Sequence, residues 1–146
     1  MNDTLRIDMY EYVEKLLTDV FDVNVYLMSE PQELTEEDTE RGFLVVNIGN
    51  LNDASEFIGN TYEWARVFIV AYIPPISRGR VNLERYKTFE RLINKLVRES
   101  SEDNEKDFWP QYDSLLSTDG EEINNANNVY HTFIKSFIVM SNHVSE

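Results

Sequence analysis

Tyr62-Glu63-Trp64-Ala65-Arg66-Val67-Phe68-Ile69-Val70-Ala71-Tyr72-Ile73-Pro74-Pro75 is the stretch that decides the fold class. With a period of two, Tyr62, Trp64, Arg66, Phe68, Val70 and Tyr72 fall on one face. Ala65, Val67, Ile69, Ala71 and Ile73 fall on the other, so the segment reads as the longest strand of the chain. Pro74-Pro75 ends it, because neither proline donates a ladder hydrogen bond.

Moving upstream, residues 49–61 are polar and rich in Asn and Gly, and read as a loop. Gly42 opens Phe43-Leu44-Val45-Val46-Asn47-Ile48, a run apolar on both faces that suits a central strand. Before it, residues 30–41 carry six acids (Glu30, Glu33, Glu36, Glu37, Asp38, Glu40) against one Arg, with Pro31 and one aliphatic residue. Like charges this dense predict a solvated loop. Residues 23–28 alternate and predict a strand. Residues 3–21 predict an amphipathic helix through Leu5, Met9, Val13, Leu16 and Val20, capped by Asn2, Asp3 or Thr4.

Downstream, a loop through Arg78 and Arg80 precedes a second helix, capped by Asn82 and running to about Ser100. Its apolar stripe includes Leu83, Tyr86, Phe89, Ile93 and Val97. Residues 101–107 read as an acidic linker, and 108–117 as a strand broken by Pro110. Asp119-Gly120 signals a turn, 121–128 a hairpin tip, and 129–141 a long final strand. Helix, three strands, helix, two strands predicts a single α+β domain over residues 1–146. Its mainly antiparallel sheet of about five strands packs against two helices.

The chain has 146 residues, with 42% apolar and 12% aromatic side chains, too rich in core formers for a wholly disordered chain. It contains no Cys, which removes disulfides, thiolate metal sites and Cys nucleophiles together. No apolar run approaches the ~20 residues that cross a bilayer, and the polar start does not read as a signal peptide. No membrane association and an intracellular location are therefore expected. A net charge of −14 argues against direct binding to nucleic acid phosphates.

A search for chemistry returns little. His131 and His143 lie on or just past the last strand, with no acid in a recognisable motif. The oxygen-rich runs 47–53 and 119–122 lack the spacing and closing Glu of a calcium loop, and the five glycines form no phosphate-binding pattern. Trp64 and Trp109 suit core packing better than ligand stacking. No catalytic residue, metal site or cofactor is expected.

Charge distribution is the more informative signal. Residues 1–60 hold 14 acids and 3 bases, net −11; residues 61–100 hold 4 acids and 8 bases, net +4; residues 101–146 are net −7. The basic stretch runs through Arg78, Arg80, Arg85, Lys87, Arg91, Lys95 and Arg98. Either the acids fold over these bases within one subunit, or the two signs sit on opposite sides and copies meet head to tail.

In its element order the chain resembles the phage tail-terminator and neck (tail-completion) proteins, small ring-forming subunits at the head–tail junction. The resemblance lies in the N-terminal helix, the strand Ala65-Arg66-Val67-Phe68-Ile69-Val70-Ala71-Tyr72 running into a loop, the helix 82–100 and the closing strand 132–140. It implies a non-enzymatic subunit without catalytic residues, located in the bacterial cytoplasm and then in the virion. Its partners would be further copies of itself in a ring, and other tail or connector proteins. The expected interface sets Arg78, Arg80, Arg85 and Arg91 on one side and Glu33, Glu36, Glu37, Asp38 and Glu40 on the other. An acidic inhibitor or DNA mimic is the alternative reading, and an enzyme with a carboxylate site the third.

Overall fold

The computed structural model describes residues 4–53, 62–77, 80–102, 107–125 and 128–144. In chain order the elements are α1 (Leu5–Thr18), β1 (Asn24–Leu27), α2 (Glu36–Arg41), β2 (Phe43–Ile48), β3 (Asn52–Asp53), β4 (Tyr62–Ile73), α3 (Leu83–Ser101), β5 (Phe108–Asn125) and β6 (Asn128–Val144). The fold is α+β, with the sheet packed on helices. Strand order is β1-β2-β4-β6-β5, and the short β3 pairs with the start of β4. The long strand read from 62–73 sits at the centre, between β2 and β6, and both pairings are antiparallel.

The helical stripes find the sheet as their spacing requires. Leu5, Met9, Val13 and Leu17 of α1 and Phe89, Ile93 and Val97 of α3 are buried on one face of the sheet. There they meet Leu44, Val46 and Ile48 of β2, the odd-numbered residues Ala65 to Ile73 of β4, and Phe133, Phe137 and Val139 of β6. The stripes stop short of their expected ends. Val20 lies past the end of α1 and is exposed, and Leu83, the first residue of α3, also faces solvent. Asn82 caps α3 as expected, its side chain accepting from the Arg85 amide at 3.1 Å.

Three expectations are corrected. The acidic stretch 30–41 is not loop throughout, because residues 36–41 form α2. Thr35 and Asp38 make a reciprocal capping box, and Glu36, Glu37 and Asp38 occupy the first turn, where the helix dipole favours negative charge. That placement turns charge density from a liability into support. Pro110 does not break its strand: it pairs with Val139 from the edge of the sheet, where a missing amide donor leaves no ladder bond unmade. Asp119-Gly120 is not a turn either. The strand continues to Asn125 and absorbs the disturbance as a register shift between Asp119 and Glu122.

The crossover through α2 explains why β1 and β2 are parallel. Parallel neighbours need a connection that leaves the sheet and returns, and residues 28–42 supply it. The crossover runs over the face opposite α1 and α3. On that face Phe43, Val45, Tyr72 and Tyr130 form a second, smaller core with Leu34 packed against it. Phe43 is its centre, stacked on Tyr72 at 4.4 Å between ring centroids and edge-on to Tyr26 and Tyr130.

Gly42 joins α2 to β2 with φ +88°, and a Cβ there would sit 2.2 Å from the Tyr72 carbonyl oxygen. Gly42→Ala is therefore expected to destabilise the protein by ~2 kcal/mol or more in denaturant unfolding. Gly49→Ala serves as the control, since its Cβ would lie 3.7 Å from the Arg66 carbonyl oxygen and should change stability far less.

Candidate functional site

The acidic segment is organised around Asp38, which is 0% exposed. Its carboxylate accepts hydrogen bonds from Asn24 Nδ2 at 2.9 Å, the Tyr26 hydroxyl at 2.6 Å and the Thr35 amide at 3.0 Å. The Tyr130 hydroxyl donates to the Asp38 backbone carbonyl at 3.3 Å. Burial by itself would raise the carboxyl's pKa. Donors from Tyr26, the Thr35 backbone, Asn24 and the Thr35 hydroxyl together outweigh burial and hold it below the ordinary value. The Tyr26 hydroxyl is pushed up to about 12, first by burial and then by Asp38. Tyr72 donates to Glu30, and its hydroxyl is raised by burial and then by that carboxylate.

Asp38 therefore faces inward, which separates it from the rest of the expected acidic interface. Glu33, Glu36, Glu37 and Glu40 are exposed and surround it on the outer side of the crossover. The expected basic residues divide similarly. Arg78 lies outside the described residues. Arg80 is exposed in a tight turn, its amide donating to the Ser77 carbonyl at 3.0 Å. Arg85 is committed within the subunit: Nε donates to the Arg41 carbonyl at 3.0 Å, Nη2 lies 3.5 Å from Asp22, and the guanidinium sits 4.9 Å from the Phe89 ring centroid. Arg91 is exposed on α3, in line with Lys87 and Lys95 at four-residue spacing.

The outcome is an acidic crossover on one side of the sheet and a helix layer of mixed charge on the other. α3 carries Lys87, Arg91, Lys95 and Arg98 outward beside the exposed Glu84 and Glu99, with Lys95 4.0 Å from Glu99, while the crossover carries Glu33, Glu36, Glu37 and Glu40. Among the described residues no ion pair joins those four glutamates to α3; the intramolecular pairs at this end run from Arg85 and Arg41 to Asp22.

A second buried charge, Lys135, escaped the sequence reading. It occupies an inward position of β6 under α3, is 2% exposed, bonds the Ser117 hydroxyl and lies 4.0 Å from Glu90. Burial lowers its pKa, and Glu90 opposes that shift. The available signal was its period: Lys135 alternates in phase with Phe133 and Phe137, which are core residues. His131 shares this phase and is half-buried. Trp64 and Trp109, in contrast, flank Met140 on the face away from α1 and α3.

Among the described residues no cluster of three or more His, Asp or Glu is placed to hold a metal ion. The void under the helices, lined by Val13, Leu17, Ile69 and Phe137, measures about 10 Å³ and is apolar. A wider, open groove of about 320 Å³ runs beside Ser101, Trp109, Gln111 and Tyr112. Among the described residues no helix is long and apolar enough to cross a membrane. No protein-family model matches the chain, and no curated protein matches it either.

Asp38 stabilises the fold fully above the ordinary carboxyl pKa, and that contribution fades as pH falls through its lower folded value. Asp38→Ala is expected to lower stability by about 3 kcal/mol at neutral pH and to flatten the acid limb of the stability curve below pH ~4. Thermal unfolding as a function of pH checks both. For Lys135, stability rises as pH climbs from its lowered folded pKa toward the ordinary 10.5, because the unfolded chain keeps that proton longer. Lys135→Met should leave stability unchanged or raise it by about 1 kcal/mol. Glu90→Gln should destabilise the wild type but not the Lys135→Met background, a coupling that a double-mutant cycle reads directly.

Proposed function

We propose that the protein is a non-enzymatic structural subunit of a phage or prophage particle, which assembles into a ring at the tail end or the head–tail junction. The observation that carries this reading is the uneven spread of charge across the sheet. Exposed cations of α3 lie on one layer, exposed acids of the crossover lie on the other, and among the described residues no ion pair joins the two sets. A subunit with unlike opposite faces associates head to tail, and such contacts form a ring where the rotation between copies closes and an open filament where it does not. The element order, which resembles that of tail-terminator and neck proteins, adds to this reading. The partners are then further copies of the chain, followed by the neighbouring tail or connector proteins.

A second reading as an acidic inhibitor or DNA mimic gains from α2. A mimic needs acids on an ordered surface, and the capping box orders Glu36, Glu37 and Glu40. Its mark would be salt-sensitive capture of a nucleic-acid-binding protein by a monomer, whereas a ring subunit associates with itself.

Mass photometry or light scattering over a range of salt separates the two readings. The ring reading expects an oligomer of defined mass at low salt that weakens as salt screens the faces. Arg91→Glu with Lys95→Glu should disperse it. Adding Glu36→Lys with Glu40→Lys to the same chain should restore association. A wild-type chain that stays monomeric at high micromolar concentration in low salt overturns the reading.

A further inference from the structure

Lys135 is the buried charge that packing leaves unexplained. It takes a core position of β6, in phase with Phe133 and Phe137, and its partner across the ladder on β4 is Ile69. An apolar side chain would fill that place without taking a charge out of water. Nζ rests against the hydroxyl of Ser117 on β5, and Glu90 of α3 stands 4.0 Å away, its one ion-pair partner among the described residues. The two ends of the Ser117–Lys135 contact differ in access: Lys135 is 2% exposed, whereas Ser117 is open to solvent. An enclosed amine against an open hydroxyl is the arrangement of a nucleophile and its general base, and Glu90 is the third group that orients the base.

We propose that Ser117 is an activated nucleophile that accepts an acyl group from a carboxylic ester, with Lys135 as its general base. The proposal does not rest on the ring reading, because a subunit acylated once is modified and turns nothing over. In the transfer, Ser117 Oγ attacks the carbonyl carbon of the ester. The Oγ–C bond forms, and the bond from that carbon to the leaving alcohol breaks. The hydroxyl proton passes to neutral Nζ and from there to the departing alkoxide, so the amine is regenerated. Burial favours the neutral amine, Glu90 favours the charged one, and burial prevails, which lowers the Lys135 pKa. Ile69 on β4 and Ser117 on β5 add no charge beside it. β5 is the last strand on its side of the sheet, so alternate amides along it point outward and offer donors to the carbonyl oxygen as negative charge builds there. Neither the apolar void under the helices nor the groove beside Trp109 includes Ser117. The hydroxyl thus works on open strand surface, where the acyl donor has to bring a readily departing group; an ester has one and an amide does not.

The test is acetylation of the full chain by p-nitrophenyl acetate, read by intact mass and peptide mapping. One acetyl group is expected on Ser117, placed there about a hundredfold faster than on Ser77, an exposed serine in the turn before α3. The rate should rise with pH as Lys135 loses its proton and level off below the ordinary lysine value of 10.5. Glu90→Gln removes the charge that holds the proton and should move this rise to lower pH. Lys135→Met and Lys135→Arg, shown folded by circular dichroism, should each slow acetylation of Ser117 about a hundredfold, since neither side chain takes up the proton. A purely structural contact predicts that Ser117 and Ser77 acetylate alike, and that result overturns the proposal. Acetylation of Ser117 that a folded Lys135 variant leaves unchanged overturns it too, as does an adduct on Lys135 itself. Should neither variant fold, the wild-type pH profile decides, and a Ser117 rate without the plateau overturns the proposal. A wild-type chain that stays monomeric yet acetylates at Ser117 overturns the ring reading and leaves this inference in place.

Discussion

The carboxylate of Asp38, buried under three donors, is the interaction on which the second face of the sheet depends. It closes the capping box that starts α2, ties that helix to Asn24 and Tyr26 of β1, and lies where Tyr130 of β6 reaches its own backbone carbonyl. A charged group taken out of water is tolerated only when its lone pairs are filled, and here the donors come from two residues of β1 and from the residue that caps α2. Fixing Asp38 fixes the crossover, and the crossover in turn permits β1 to lie parallel to β2. Gly42 completes the connection by letting the chain pass within contact of the Tyr72 carbonyl.

With the crossover held in place, the sheet acquires two unlike surfaces. One is sealed by α1 and α3 over a wide aliphatic and aromatic core that also encloses Lys135. The other is sealed only at one end, where Phe43, Tyr72 and Tyr130 pack beneath the crossover. Further along, Phe68 and Leu116 remain open to solvent. The crossover side carries exposed acids, whereas the helix layer carries exposed bases and acids together. A molecule built this way has a front and a back, which is the property that head-to-tail assembly uses.

Strong periodic signals carried the large elements. The alternation in 62–73, the stripes of both long helices and the Asn82 cap were legible because each reflects burial of one face against a core. The acidic stretch was misread because repulsion between neighbouring acids outweighed the Thr35-x-x-Asp38 capping-box spacing, which is legible in sequence, whereas the donors Asn24 and Tyr26 reach that carboxylate only in the fold. Pro110 and Asp119-Gly120 misled for a related reason. Prolines and turn residues forbid regular pairing inside a sheet but are accommodated on an edge strand by an empty donor site or a register shift. Of the charged residues singled out from sequence, Arg80, Arg91, Glu33, Glu36, Glu37 and Glu40 face solvent, while Arg85 and Asp38 are occupied inside the subunit.

The sequence by itself determined the α+β class, the extent of the long strand, the two long helices and the segregation of charge along the chain. These follow from local periodicity and composition, which one-dimensional order carries in full. Tertiary structure alone decided which acid is buried, which arginine is spent on Asp22 and Phe89, and on which side of the sheet each charge emerges. Those outcomes depend on strand order and on the path of one crossover, contacts between residues as far apart in sequence as Asp38 and Tyr130.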